Sequence, residues 1–198
     1  MNTTSPESKL ILASTSPYRK TLLQRLGLEF TCATPDVDET ALPEETAMAL
    51  TSRLARGKAT HVAGLNPDAL VIGCDQVAEL TGTLLGKPVT ADFALAQLLN
   101  FSGKTVQFLS ALCVLRLNPW FLQEVTVPTL VHFREFSQAE AERYIELDNP
   151  LDCAGSFKSE AGGSVLLRGL ESNDPTALIG LPLIALSGML RSAGRLVP

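Results

Sequence analysis

Four stretches of this chain combine residue types that can handle an anionic ligand. The first, Ser14-Thr15-Ser16-Pro17-Tyr18-Arg19-Lys20, lies between the apolar run Leu10–Ala13 and the helix-spaced set Leu22, Leu23 and Leu26. A helix start offers unpaired N–H groups and partial positive charge, which suits phosphate. Ser14 and Ser16 can add hydroxyl donors, and Arg19 can bind phosphate oxygens in pairs. The loop lacks the glycines of a Walker or dinucleotide loop, so on its own it fits a plain Ser/Pro helix cap equally well.

The second is Asp75, at the end of the apolar run ALVIGC, where strands of α/β sheets gather ligands. Asp36, Asp38 and Glu39 supply further carboxylates, and with Asp75 they offer the hard oxygen ligands that Mg²⁺ prefers. Asp36 and Asp38 equally fit a solvated acidic turn. The third is a pair of single cations, Lys58 after Gly57 and Lys87 in Gly86-Lys87-Pro88, which fit surface lysines as well as phosphate ligands. The fourth is residues 153–163, CAGSFKSEAGG, where small residues surround Phe157, Lys158 and Glu160. Such a segment suits either a close approach of backbone to ligand or a structural loop.

The elements that must position these residues follow from periodicity. A strand over 9–13 leads through the serine loop to a helix over 19–26, stopped at Gly27, and then to a strand over 30–33. Ala47, Leu50, Leu54 and Lys58 fall near one face of a helix predicted over 44–65. A buried strand over 69–74 and a hairpin over 77–85 come next, and Thr90 caps a helix reaching Asn100. Two long strands, 105–117 and 124–136, flank a connection containing Trp120, which reads as a packing residue. Ser137 and Glu140 form a capping box that opens a helix through Leu147. A strand over 164–170 and a helix over 183–193 close the chain. The pattern predicts a single domain over 1–198, of mixed α/β (α+β) class, with two lobes around a cleft.

Composition excludes several function classes. Hydrophobic residues make up 45% of 198, enough for a sizeable core and against disorder. A net charge of −5 argues against a grip on nucleic acid through backbone phosphates. No stretch predicts a membrane span: the most apolar, 177–190, is interrupted by Gly180, Pro182 and Gly188 and is shorter than the ~20 residues required. Residues 1–9 are polar and carry no apolar leader, so a cytoplasmic protein is expected. Cys32, Cys74, Cys113 and Cys153 are unpaired in spacing and read as buried small hydrophobes, and His61 and His132 lack metal-ligand spacing.

Taken together, the chain resembles the Maf proteins, nucleoside triphosphate pyrophosphatases, and among them a bacterial branch acting on 7-methyl-GTP. The resemblance rests on LILASTSPYRKTLL from Leu10, PDVDET from Pro35, RLARGKA from Arg53, IGCDQV from Ile72, GKP from Gly86, CAGSFKSE from Cys153 and IGLPL from Ile179. It covers nearly the whole chain in order. It implies a Maf/ITPase-like fold, elongated and two-lobed, with a mixed sheet and a central cleft, commonly in a homodimer. It implies hydrolysis between the α- and β-phosphates, with Asp75 accepting the proton of the attacking water. Glu39 and Asp75 would hold a divalent metal, Mg²⁺ or Mn²⁺. Ser14, Ser16, Arg19, Lys58 and Lys87 would line the triphosphate site.

Three matched positions depart from the thymidine/uridine-triphosphate branch, which usually has Arg, Thr and Gln where this chain has Tyr18, Gln76 and Glu160. Glu160 can accept from the paired N–H donors of a guanine edge. An aromatic face such as Tyr18 suits a base made cationic by N7 methylation. Two other readings stand beside this one: a pyrophosphatase for other normal or modified nucleotides, and a non-catalytic nucleotide-sensing or division-linked binding protein.

Overall fold

The computed structural model describes residues 8–198. The polar start on which the absence of a leader was read therefore lies, up to residue 7, outside the described residues. One mixed seven-stranded sheet runs through the protein in the order β2-β1-β3-β5-β6-β7, with β4 on the edge of β3. Its first part is parallel: β1 (Leu10–Ala13) pairs with β2 (Thr31–Ala33) and with β3 (Leu70–Leu80). The rest is antiparallel, through β4 (Thr83–Leu85), β5 (Thr105–Arg116), β6 (Phe121–Phe133) and β7 (Leu167–Ser172).

Five helices cover the described part of the sheet. Alternation along β1 and β3 sends Leu10, Leu12, Leu70 and Ile72 to one face, where α1 (Pro17–Gln24) and α5 (Leu183–Ser192) bury Leu22, Leu23, Leu186 and Leu190. Ile11 and Val71 face the other way, onto α2 (Ala47–Leu65) through Ala55, Ala59 and Val62. A second lobe centres on Phe101, Phe108, Phe133 and Phe157, under α3 (Ala91–Phe101) and α4 (Gln138–Asp148). Strand β3 is long enough to enter both lobes.

Helix starts agree with the capping chemistry: Ser16, Thr46, Thr90 and Ser137 each accept from the backbone three residues on, and Ser137 with Glu140 completes a capping box. Differences elsewhere have physical causes. Instead of breaking after Cys74, β3 runs on through Asp75 and Gln76, because each of these polar side chains finds partners beside the strand. The last strand starts late, since a 3₁₀ turn occupies Gly162–Leu166, where Gly163 packs against the Lys158 carbonyl. Trp120 is 67% exposed and so is not a packing residue. Cys74 and Cys113 are buried as expected, whereas Cys32 is exposed on the short edge strand β2.

Candidate functional site

The cleft is a consequence of strand lengths. Strand β1 ends at Ala13, opposite Gly73, and β4 joins the same edge of β3 only at Ala78. Residues Cys74 to Val77 are left between these neighbours with that edge unpaired by either. A cleft of about 440 Å³ opens there, lined by Ser14, Ser16 and Arg19 together with Glu39, Lys58 and Asp75.

Gly73 sets the depth of the chemical end. A Cβ at this position would lie 2.7 Å from the Ala59 nitrogen and 2.8 Å from its Cβ, so only glycine lets α2 lie this close to β3. That approach carries Lys58 to Asp75. The Lys58 Nζ donates to Asp75 Oδ1 at 2.6 Å and pairs with Glu39 Oε1 at 2.6 Å. Lys58 and Asp75 are both buried, while the Glu39 side chain is mostly exposed. Burial pushes the Asp75 carboxyl above its ordinary value, although Lys58 and Arg19 pull the other way. Partial burial acts in the same direction on Glu39, but Lys58, Lys87 and Arg19 outweigh it and hold that carboxyl below the usual range. Two carboxylates sharing one ammonium thus differ in proton affinity, which suits one for taking a proton and the other for staying charged.

Arg19 is held at the wall: Nε donates to the Gly180 carbonyl at 3.0 Å and Nη1 approaches Ser14 Oγ at 3.5 Å. Ser14 and Ser16 also accept from the backbone N–H groups of Ser16 and Arg19, so the serine loop is both a helix cap and a cleft wall. Lys87, exposed on the turn after β4, faces the same space.

A smaller hollow of about 90 Å³ adjoins this cleft and shares Arg19, Gln76 and Lys87 with it. Tyr18, Asp152 and Glu160 line its outer part. Gln76 points to the opposite face of β3 from Asp75, and its Nε2 donates to the carbonyls of Ala177 at 3.0 Å and Leu178 at 2.9 Å. Lys158 stands 5.6 Å from the centre of the Tyr18 ring, so a cation already covers that aromatic group. At Gly155 the close neighbours are protein: a Cβ there would meet Ala78 and Phe108 at 3.1 and 3.2 Å. A third hollow, of about 720 Å³, opens around Lys9, Glu29 and Arg195; of the residues named from sequence it takes Lys20 and Cys32, but none assigned to the triphosphate, metal or base. Convergence of opposite charges, not size, identifies the site.

Every residue that the family resemblance assigns to the site lines one of two connected hollows. Asp36 and Asp38 do not join them; the Asp38 carboxylate accepts from Thr40 N–H in a turn. Sequence reasoning missed Asp174. This buried carboxylate accepts from Thr176 N–H and Oγ–H and from the Ile184 N–H at the start of α5, and so holds the 177–180 segment that anchors both Arg19 and Gln76. An Asp followed two residues on by Thr is a capping signal, but the element it serves lies ten residues away. Ser110, buried on β5 and bonded to both Gln76 and Ala177, carries no signal of its own.

The two carboxylates fit a divalent cation in one respect. Mg²⁺ is commonly held by one or two carboxylates, with phosphate oxygens and water completing its shell. Glu39 and Asp75 supply that pair from different elements, and no set of three or more His, Cys, Asp or Glu residues is grouped for a metal among the described residues.

Residues 9–193 match the family described as Maf-like protein. The chain is 54% identical over 191 residues to a protein of Aromatoleum aromaticum named 7-methyl-GTP pyrophosphatase, covering 96% of this chain and 98% of that protein. Proteins of the same name from Cupriavidus metallidurans and Pseudomonas aeruginosa are 53% and 49% identical, covering 93% of both chains in the first case and 96% and 98% in the second.

Proposed function

The chain belongs to the Maf family, and on that premise we propose that it is a nucleotide pyrophosphatase that hydrolyses 7-methyl-GTP to 7-methyl-GMP and pyrophosphate. One observation carries the reading: the buried Lys58 between Asp75 and Glu39, in a cleft that Arg19 also lines. The relatives named 7-methyl-GTP pyrophosphatase supply the substrate.

In this mechanism Arg19, Lys87 and Lys58 neutralise the triphosphate, which is most of what phosphoryl transfer requires of a protein. Water attacks the α-phosphorus, the bond from that phosphorus to the bridging oxygen breaks, and pyrophosphate leaves with the bonding pair. Asp75 takes the proton of the water, a role suited by a carboxyl whose proton affinity burial has raised. Glu39 and Asp75 would hold a divalent cation, Mg²⁺ or Mn²⁺, which supplies Lewis-acid neutralisation of phosphate charge. At the other end, Tyr18, Gln76 and Glu160 contact the base.

The same reading carries two further expectations of the resemblance, a cytoplasmic location, with which the four free cysteines agree, and a homodimer. Solution mass tests the dimer.

Pyrophosphate release from 7-methyl-GTP, GTP, UTP and dTTP, with and without chelator, tests the rest. The expected result is preference for 7-methyl-GTP, abolished by chelator and restored by Mg²⁺ or Mn²⁺. Equal turnover of UTP or dTTP overturns the substrate. Full activity in excess chelator overturns the metal, and nucleotide binding without pyrophosphate release leaves a binding protein.

A further inference from the structure

Helix α5 begins at Leu183 behind Pro182, which brings no side chain to cap it, so its first N–H groups need acceptors from elsewhere. They find them upstream in the chain. Asp174 Oδ2 accepts from the Ile184 N–H at 2.7 Å and the Ala185 N–H at 3.3 Å, and Thr176 Oγ1 accepts from the Leu183 N–H at 2.8 Å. The Thr176 hydroxyl in turn donates to Asp174 Oδ1 at 2.7 Å, and the Thr176 N–H donates to the same oxygen at 3.1 Å. Both oxygens of a buried carboxylate are thus committed, with its charge at the positive end of the helix. Backbone bonds from the Ala177 N–H to the Asp174 carbonyl and from the Gly180 N–H to the Ala177 carbonyl, each 3.0 Å, fold the residues between into a closed ring.

The ring turns one carbonyl towards the cleft. Gly180 has a φ of +123°, a region left to glycine, and its carbonyl accepts from Arg19 Nε at 3.0 Å and from the buried Cys74 thiol at 3.0 Å. With Nε committed there and Nη1 3.5 Å from Ser14 Oγ, Arg19 keeps Nη2 bonded to no described group on the lining of the cleft. An arginine fixed through Nε has fewer rotamers to lose on meeting an anion than one held only by its stem. The direction of this guanidinium is set by where a loop carbonyl stands, and that carbonyl by a carboxylate outside the cleft lining.

We infer that Asp174 is a positioning residue for phosphate binding: through the Gly180 carbonyl it holds the Arg19 guanidinium where the triphosphate meets it. Thr176 is the second member of the same device. The inference rests on the reading that Arg19 receives phosphate, and it deepens that reading by naming what sets the angle of the arginine. Asp174→Asn keeps the size of the side chain, but one terminus of the new amide is a donor. That terminus must face either the Thr176 N–H or the N–H groups of α5, so one side of the ring opens.

Inorganic tripolyphosphate carries charge and no base, so its binding in metal-free buffer reads the phosphate end by itself. Calorimetry well below the Tm of each variant should show Arg19→Ala weaker than the parent by about tenfold or more, and Asp174→Asn weaker by about three- to tenfold. In the Arg19→Ala background, Asp174→Asn should cost nothing further, because its effect runs through the arginine. Thr176→Val removes one hydroxyl from the ring without loss of bulk and should repeat the pattern, weakening binding by about two- to threefold. Thr176→Ser, which keeps the hydroxyl, should bind as the parent does. Thr176→Val carries the same cycle where Asp174→Asn does not fold. Parent-like affinity in Asp174→Asn, or in Thr176→Val where that variant stands in for it, overturns the inference. Equal losses with and without Arg19 overturn it too, as does Thr176→Ser falling as far as Thr176→Val. Parent-like affinity in Arg19→Ala overturns the phosphate reading of Arg19 as well, so the two failures are told apart.

Discussion

The two ends of the cleft are built from different material. At the end proposed to take the phosphates, Ser14, Arg19, Lys58 and Asp75 sit on or beside β1, α1, α2 and β3, and two of them, Lys58 and Asp75, form a buried ion pair. At the end proposed to take the base, Asp152, Lys158 and Glu160 ride on 3₁₀ turns and loops that pass through left-handed backbone at Asn149 and Ser156. Regular elements fix positions through many cooperating backbone bonds, so they hold charged groups where tenths of an ångström matter. Irregular segments tolerate sequence change with less cost to the core, so they are where one fold can alter its choice of base.

If that division holds, damage to the phosphate end removes turnover without changing base preference. Asp75→Asn keeps the shape and removes the base, and should lower kcat by about 10²–10⁴-fold while the ratio of 7-methyl-GTP to GTP turnover stays constant. Turnover within about tenfold of the parent would reject Asp75 as proton acceptor. Gly73→Ala strikes the same end through packing. The new methyl meets backbone atoms of α2, so the helix must move off β3 and take Lys58 with it. The expected cost is about 1–3 kcal/mol, read as a fall of roughly 2–12 °C in Tm. An unchanged Tm would mean that the helix–strand spacing is not set there.

Changes at the base end should do the reverse. Glu160→Gln exchanges a charged acceptor for a group with two donors, on an exposed side chain that no core packing needs. Preference for 7-methyl-GTP over UTP should narrow by about tenfold, with pyrophosphate release from 7-methyl-GTP retained. A collapse of kcat on all nucleotides would place Glu160 in the chemistry and erase the distinction between the ends.

The same distinction explains what could be read from residues alone. Serines before a helix, an acid at the end of an apolar strand and a lysine on a helix face announce themselves by type and spacing, and the structure brings all of them to one cleft. The buried strand after α2 and the two long strands on either side of Trp120 were legible for the same reason. The position of Lys158 over Tyr18 was not, because it depends on an αL residue, Asn149, and on turns between α4 and β7 that periodicity does not describe. Nor was the orientation of Gln76, which is set by carbonyls about a hundred residues away in sequence. Asp174 stayed hidden because its partners are backbone groups of a loop and of α5.

Acid tests the independence of the two ends. Glu140 caps α4, whose C-terminal carbonyls hold Lys158; the Ser137 backbone N–H and Arg134 bring its carboxyl down to about 2. Glu45, beside the Thr46 cap of α2, is brought down to about 2 as well, by Arg53 of that helix and the Leu42 N–H. Depressed folded values mean that both contributions are fully present above the ordinary glutamate value of 4.5 and are lost as pH falls towards about 2. Asp75 has the opposite sign, since its raised folded value makes protonation favour the folded state. Amide hydrogen exchange between pH 5 and 3, corrected for intrinsic rates, should show α4 and α2 both losing protection, with Glu140→Gln removing the acid dependence of α4 alone and Glu45→Gln that of α2 alone. Either variant removing it from both helices would show the lobes responding as one unit.

The smallest expected effect concerns Tyr18. A cationic, N7-methylated ring gains from an aromatic face, but Lys158 already stands over this one at 5.6 Å and draws on the same negative face of the ring. A partly exposed cation–π contact contributes about 0.5–1 kcal/mol, so Tyr18→Ala should lower the 7-methyl-GTP to GTP ratio by only about two- to fivefold. Tyr18→Phe keeps the ring and loses only the long hydroxyl contact to Asp152, and should leave the ratio near that of the parent. Tyr18→Trp presents a stronger π donor and should raise it. A loss well beyond tenfold in Tyr18→Ala would mean that the base stacks on the face opposite Lys158 with full desolvation. The irregular end would then be as rigidly built for its ligand as the regular one.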